Sequence, residues 1–117
     1  MKKVNLAEKL QKFSDYWSPH TVTTFNKHDV ILVKVKGEFV WHQHDDTDDF
    51  FLVLEGKLKI SLPDDEEIIL NPGELYIVPK DVQHRPYAEV ETHLLLIEPS
   101  GTPNTGDAET AAPHKTI

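Results

Sequence analysis

The sequence predicts an all-β fold, an antiparallel barrel or jelly roll preceded by one short helix. Three observations lead there. From Val22 onward apolar and polar residues follow a period of two in short runs, turn-forming residues separate those runs, and only the N-terminal stretch carries a helical period. Many short strands bury their apolar faces by closing or stacking a sheet.

The helical stretch covers residues 3 to about 14, where Leu6, Leu10 and Phe13 fall at i, i+4 and i+7 and Glu8, Lys9, Gln11 and Lys12 lie off that stripe. A short amphipathic helix docked on a sheet satisfies this pattern. Asp15-Tyr-Trp17-Ser-Pro19-His20 breaks the period and is expected to run across the surface.

Strand follows strand from Val22. Val30 to Val35 alternates, with Lys34 and Lys36 where a face meets solvent. In Glu38 to His44 the alternation puts Val40, His42 and His44 on one face and Phe39 and Trp41 on the other. Apolar residues on both faces suit a covered barrel wall. Phe50 to Glu55 and Lys57 to Leu62 flank a turn at Glu55-Gly56, and Ile68 to Leu70 follows the loop Pro63 to Glu67. Asn71-Pro-Gly73 is a strong turn signal, since proline presets φ and glycine accepts φ > 0. Leu75 to Val78 and His93 to Ile97 complete the series. After Glu98 the composition turns to Gly, Pro, Thr and Ala without periodicity, so the last part of the tail is expected to be loosely held unless it packs on a neighbouring chain. The expected division is a helix and lead-in at 1–21, a barrel at 22–98 and a tail at 99–117.

The chemistry concentrates in residues 37 to 56. His42 and His44, spaced i, i+2 in an extended stretch, point to one face, so both imidazoles can reach one ion. Asp49 opens the next apolar run after a short acidic turn, and a hairpin would return its carboxylate beside them. Asp45 and Asp46 read as solvated turn residues. His20, His28, His93 and His114 lack a partner pattern and read as surface or packing residues.

Gly37, the His42-Gln-His44 pair, Asp49 and Gly56 together resemble the first motif of the cupin family. Gly73-Glu-Leu-Tyr-Ile-Val-Pro79-Lys-Asp81-Val-Gln-His84 resembles the second. Three positions depart from the usual pattern: Asp49 replaces the usual Glu and is one methylene shorter, with Asp48 as a substitute; Asp81 stands where glycine is usual; Ala88 stands where asparagine is common. The resemblance implies a double-stranded β-helix, the cupin jelly-roll barrel, with a metal held by His42, His44, Asp49 and His84. Such a site resembles those for Fe(II), Mn(II), Ni(II) or Zn(II). It also implies a homodimer, which cupins commonly form through N-terminal strands, and pairing would cover exposed edges and an apolar outer face.

Composition narrows the function. With 117 residues the chain supports one domain. Twelve basic against 20 acidic residues give a formal charge of -8, which repels phosphate backbones and anionic lipid, so neither nucleic acid nor membrane is an expected partner. The absence of cysteine excludes disulfides and thiolate chemistry. No stretch approaches transmembrane length or forms a leader, so a cytoplasmic protein is expected. The function the cupin resemblance implies is a small metalloenzyme of isomerase or dioxygenase type acting on a small polar molecule, with a pocket expected to be walled by Val40, Phe51, Val53 and Tyr76 or Ile77. The alternative is a metal-dependent binding or sensor module without turnover. Arg85, the one arginine, is thin support for a phosphosugar.

Overall fold

The computed structural model describes residues 2–117. Its order is α1 (Leu6–Leu10), β1 (His20–Phe25), β2 (His28–Glu38), β3 (Asp49–Glu55), β4 (Leu58–Ser61), β5 (Glu67–Leu70), β6 (Leu75–Val78), β7 (Arg85–Pro99) and β8 (Lys115–Thr116). This is the expected all-β jelly roll, with its strands in one curled, unclosed sheet.

The longest strand organises the rest. β7 pairs antiparallel with β2 from His28↔Pro99 to Glu38↔Tyr87. Its other edge takes β4 near its start, at Arg85 to Tyr87, and β3 further on, at His93 to Leu95. β3 in turn pairs with β6, and β4 with β5. Alternating side chains from these strands fill one core, in which Val35, Val53, Leu58, Ile60, Val78 and Leu94 are almost fully buried.

Backbone chemistry sets the turns. Asn26 and Lys27 both take positive φ (46° and 63°) in the two-residue connection between β1 and β2, as a type I′ hairpin requires. Asp81 takes φ 66°, so aspartate fills the left-handed position where glycine was the usual residue. Gly56, at φ +92°, lies against Thr92, whose Oγ1 accepts the Lys57 N–H at 3.0 Å.

Three local expectations change. The helix is a single turn capped by Asn5, whose Oδ1 accepts the Glu8 N–H at 3.1 Å, and it ends before Phe13. Phe13 instead leaves the helix to stack on His20, with ring centroids 3.8 Å apart. The stretch after Glu38 is no continuous strand: Phe39 turns inward against Trp17, while Val40 and Trp41 both lie exposed. The β-bulge between Val35 and Gly37 and the end of the β2 ladder at Glu38 shift the alternation there. The tail also folds back on its own chain rather than hanging loose. β8 pairs parallel with β1, the Lys115 N–H reaches Pro19 O at 3.1 Å, and Asn104 Nδ2 donates to Trp17 O at 3.3 Å. Among the described residues no helix is long and apolar enough to cross a membrane.

A Cβ at Gly56 would come within 2.8 Å of Thr92 Cα and of Glu91 O, whereas at Gly73, with a similar φ of +85°, it would meet nothing within 4 Å. Both alanine variants carry the left-handed strain, but only Gly56→Ala adds a collision with backbone. Urea unfolding should therefore find Gly56→Ala less stable than Gly73→Ala by about 1–3 kcal/mol. Equal losses would contradict the packing of this turn.

Candidate metal centre

Two loops and one strand start build the site. The loop after β2 carries His42 and His44, Asp49 is the first residue of β3, and His84 immediately precedes β7. A short backbone bridge locks the loops together: the His42 N–H donates to His84 O at 3.0 Å and the His84 N–H to His42 O at 2.9 Å. The Asp81 N–H adds a bond to His44 O at 2.8 Å. The His-x-His pair thus shares a face although the segment is mostly loop, because the bridge holds it extended.

All four side chains are buried, and one ligand atom from each lies within 4.8 Å of the others. Asp49 Oδ2 sits 2.8 Å from His84 Nε2, 3.3 Å from His44 Nε2 and 3.9 Å from His42 Nε2. The tautomers follow from the other ring nitrogens. His42 Nδ1 lies 2.9 Å from Val40 O and His84 Nδ1 lies 2.9 Å from Val82 O. A carbonyl only accepts, so both Nδ1 atoms carry hydrogen and both Nε2 lone pairs can turn to the cluster. The donor atoms are close enough together for one ion to bridge them. The donor set fits a divalent metal.

Burial and charge agree with this. Burial holds the His42 imidazole down to about 4, outweighing its bond to Val40 O. Burial also opposes ionisation of Asp49, but the His44 and His84 imidazoles beside it prevail and hold its carboxyl at about 2. A neutral His42 imidazole and an ionised Asp49 carboxylate are the protonation states a metal requires of those two groups.

Asp48 does not join the cluster. It is exposed, and its Oδ1 accepts the Lys80 N–H at 2.9 Å, so Asp49 is the carboxylate that converges. Asp45 and Asp46 are exposed, as expected. Beside the cluster lies a cavity of about 40 Å³ whose wall includes Trp17, Phe39, Phe51, Leu94, Leu96 and Glu98. Of the expected wall residues only Phe51 lines it. Val40 and Ile77 are exposed, Val53 belongs to the core, and Tyr76 packs against that core. A larger, open groove of about 640 Å³ runs between β1 and the tail, outside the cluster. Trp17 and Asn104 were not legible as wall residues, because both arrive through irregular segments. Glu98 had a signal: it continues the inward period of Leu94 and Leu96 with a carboxylate.

The profile of the Cupin domain matches residues 29–99. The chain belongs to the cupin family. The uncharacterised protein YdbB of Bacillus subtilis is 37% identical to this cupin over 78 residues, 67% of this chain and 69% of its own. A cupin-2 domain protein from Shewanella frigidimarina is 45% identical, with a TM-score of 0.80 over 82% of this chain and 93% of that one. A hydroquinone 1,2-dioxygenase from Sphingomonas sp. TTNP3 with 4-hydroxybenzoate bound shares the fold at 19% identity and a TM-score of 0.75, over 86% of this cupin and 32% of that chain.

In metal-free, chelator-treated protein, His42 stays neutral down to about 4 when folded but takes a proton near 6.5 when unfolded. Its contribution to stability is therefore present above 6.5 and lost as pH falls towards 4. Glu98, raised from 4.5 to about 8, acts in the opposite sense as pH rises through that range. The difference between wild type and His42→Leu isolates the histidine. Urea unfolding should show that difference moving against the wild type by about 2–3 kcal/mol on acidification. A difference independent of pH would contradict a buried neutral imidazole.

Proposed function

We propose that this cupin is a metal-dependent enzyme of isomerase or dioxygenase type, with a small molecule as substrate and with His42, His44, Asp49 and His84 as the metal ligands. The observation that carries it is the convergence of four buried side chains, two of whose imidazoles, His42 and His84, have tautomers already fixed for ligation. The nitrogen and oxygen donors, with no thiolate, suit Fe(II), Mn(II), Ni(II) or Zn(II). Such an ion, when bound, polarises an oxygen atom or activates a small co-substrate.

The chain's own residues do the rest. Val40 O and Val82 O orient two imidazoles, Asp49 balances the charge, and Trp17, Phe39 and Phe51 exclude water. The wall is more apolar than a polar substrate calls for, which favours a compact molecule with an apolar body and a polar end at the metal. A phosphosugar is disfavoured. Arg85 is engaged elsewhere, 3.5 Å from Glu38 Oε2 and stacked 5.6 Å from the Trp41 ring, and no lysine or arginine lines the cavity. The dioxygenase type is the better supported of the two, since a hydroquinone dioxygenase shares the fold. A second reading, metal-dependent binding without turnover, draws support from the small cavity of about 40 Å³.

We further propose a homodimer. Ile69 on β5 and Leu75 and Ile77 on β6 expose 47%, 53% and 45% of their surface, on strands that have one ladder partner each. Light scattering should then give twice the 13.4 kDa chain mass, and Leu75→Glu with Ile77→Glu should halve it. A wild-type monomer at micromolar concentration would overturn the dimer.

Metal content is the direct test of the site. Elemental analysis of protein purified without a histidine tag should find near-stoichiometric metal, lost in His42→Ala/His84→Ala. Oxygen uptake on small hydroxylated substrates would then separate turnover from binding. No metal in the wild type after incubation with Fe(II), Mn(II), Ni(II) and Zn(II) would sink the proposal.

A further inference from the structure

Glu98 stands where the strand calls for an apolar residue. Leu94, Leu96 and Glu98 follow one another at period two along β7, and all three line the cavity beside the cluster. Glu98 is 5% exposed, and its Oε1 is buried without a hydrogen-bond partner. The His114 ring comes no closer than 3.9 Å, from Nε2 to Oε1, beyond hydrogen-bond reach. An unpartnered carboxyl in an apolar wall destabilises a fold, and leucine would fill the position without that cost. A group retained at such a disadvantage needs a partner that enters from outside.

The cavity defines that partner. His42, His44 and Asp49 share its wall with Glu98, so a molecule seated at the cluster lies in the same enclosure. A volume of about 40 Å³ admits only a few heavy atoms. Burial raises the Glu98 carboxyl to about 8, and the charges of Asp49 and Asp29 reinforce this. At neutral pH it is mostly the uncharged acid, with an O–H to donate.

We infer that Glu98 is a further ligand-contacting residue of this cavity, a hydrogen-bond donor to a compact acceptor ligand, a few oxygen or nitrogen atoms in size, seated at the cluster. The inference rests on the metal site proposed above. It adds a contact from β7, a strand that carries none of the four cluster residues.

Azide on the Cu(II)-loaded full chain is a suitable probe, being three atoms long and an acceptor along its length. Its charge-transfer band reports affinity and its infrared stretch reports the hydrogen bond. Glu98→Leu should keep stoichiometric copper, weaken azide about tenfold, as expected for loss of one charge-assisted hydrogen bond, and shift the stretch. Glu98→Gln, which retains an N–H donor, should recover part of both. Thermal unfolding of the metal-free proteins should give Glu98→Leu a higher Tm, because the orphaned carboxyl is gone. Unchanged azide affinity and stretch in Glu98→Leu, with copper retained, would overturn the assignment while leaving the metal site standing. A lowered Tm would mark Glu98 as a packing residue and overturn it too. Wild-type protein that binds no copper would remove both readings together.

Discussion

The site depends on two backbone hydrogen bonds. Between His42 and His84 the chain makes a bridge of 3.0 and 2.9 Å that belongs to no named strand. It joins segments about forty positions apart and fixes the relative height of two imidazoles. The side chains then have little choice. Their Nδ1 hydrogens go to Val40 O and Val82 O, each carbonyl two residues back along its own segment. The same local device, used twice, turns both Nε2 atoms towards Asp49. A sheet ladder supplies such registration as a by-product; here a single bridge does it where the ladder has stopped.

That bridge is held by the long strand. β7 begins directly after His84, and its partner β2 leads into the loop that carries His42 and His44, while its partner β3 follows that loop and starts at Asp49. The β2–β7 ladder therefore sets one end of each ligand-bearing segment, and the core beneath it fixes the distance between them. Asp49 is buried and still ionised, held so by the His44 and His84 imidazoles beside it.

The period-two runs and the turn residues made the strand inventory legible, and the two motifs led to all four converging residues. The failures have a common origin. Val40 was placed with the histidines and Phe39 opposite, yet Phe39 packs inward against Trp17 and Val40 is exposed. Alternation predicts a face only while the ladder continues, and here it ends at Glu38. Asp48 and Asp49 are equivalent to a pattern argument; the Lys80 N–H that occupies Asp48 comes from 32 positions away. Trp17 and Asn104 reach the cavity through segments without periodicity, so nothing local announced them. The tail likewise looked unstructured because its order depends on long-range backbone bonds to Pro19 and Thr21 rather than on propensity.

Two buried carboxylates near one cluster take opposite protonation states, and their surroundings explain why. Asp49 faces the His44 and His84 imidazoles and is held at about 2; Glu98 is pushed up to about 8 by burial, helped by the Asp49 charge itself. Each state reinforces the other. An ionised Asp49 keeps a proton on Glu98, and a neutral Glu98 adds no negative charge to a site already holding one. An ion at the cluster would alter this balance by neutralising Asp49, weakening the repulsion that helps hold the proton on Glu98. The small cavity between them is thus bounded by a charged wall and a neutral, donating wall. If the cluster holds a metal and Glu98 donates as proposed, a bound molecule has a direction: its electron-rich end at the metal side and an acceptor towards β7.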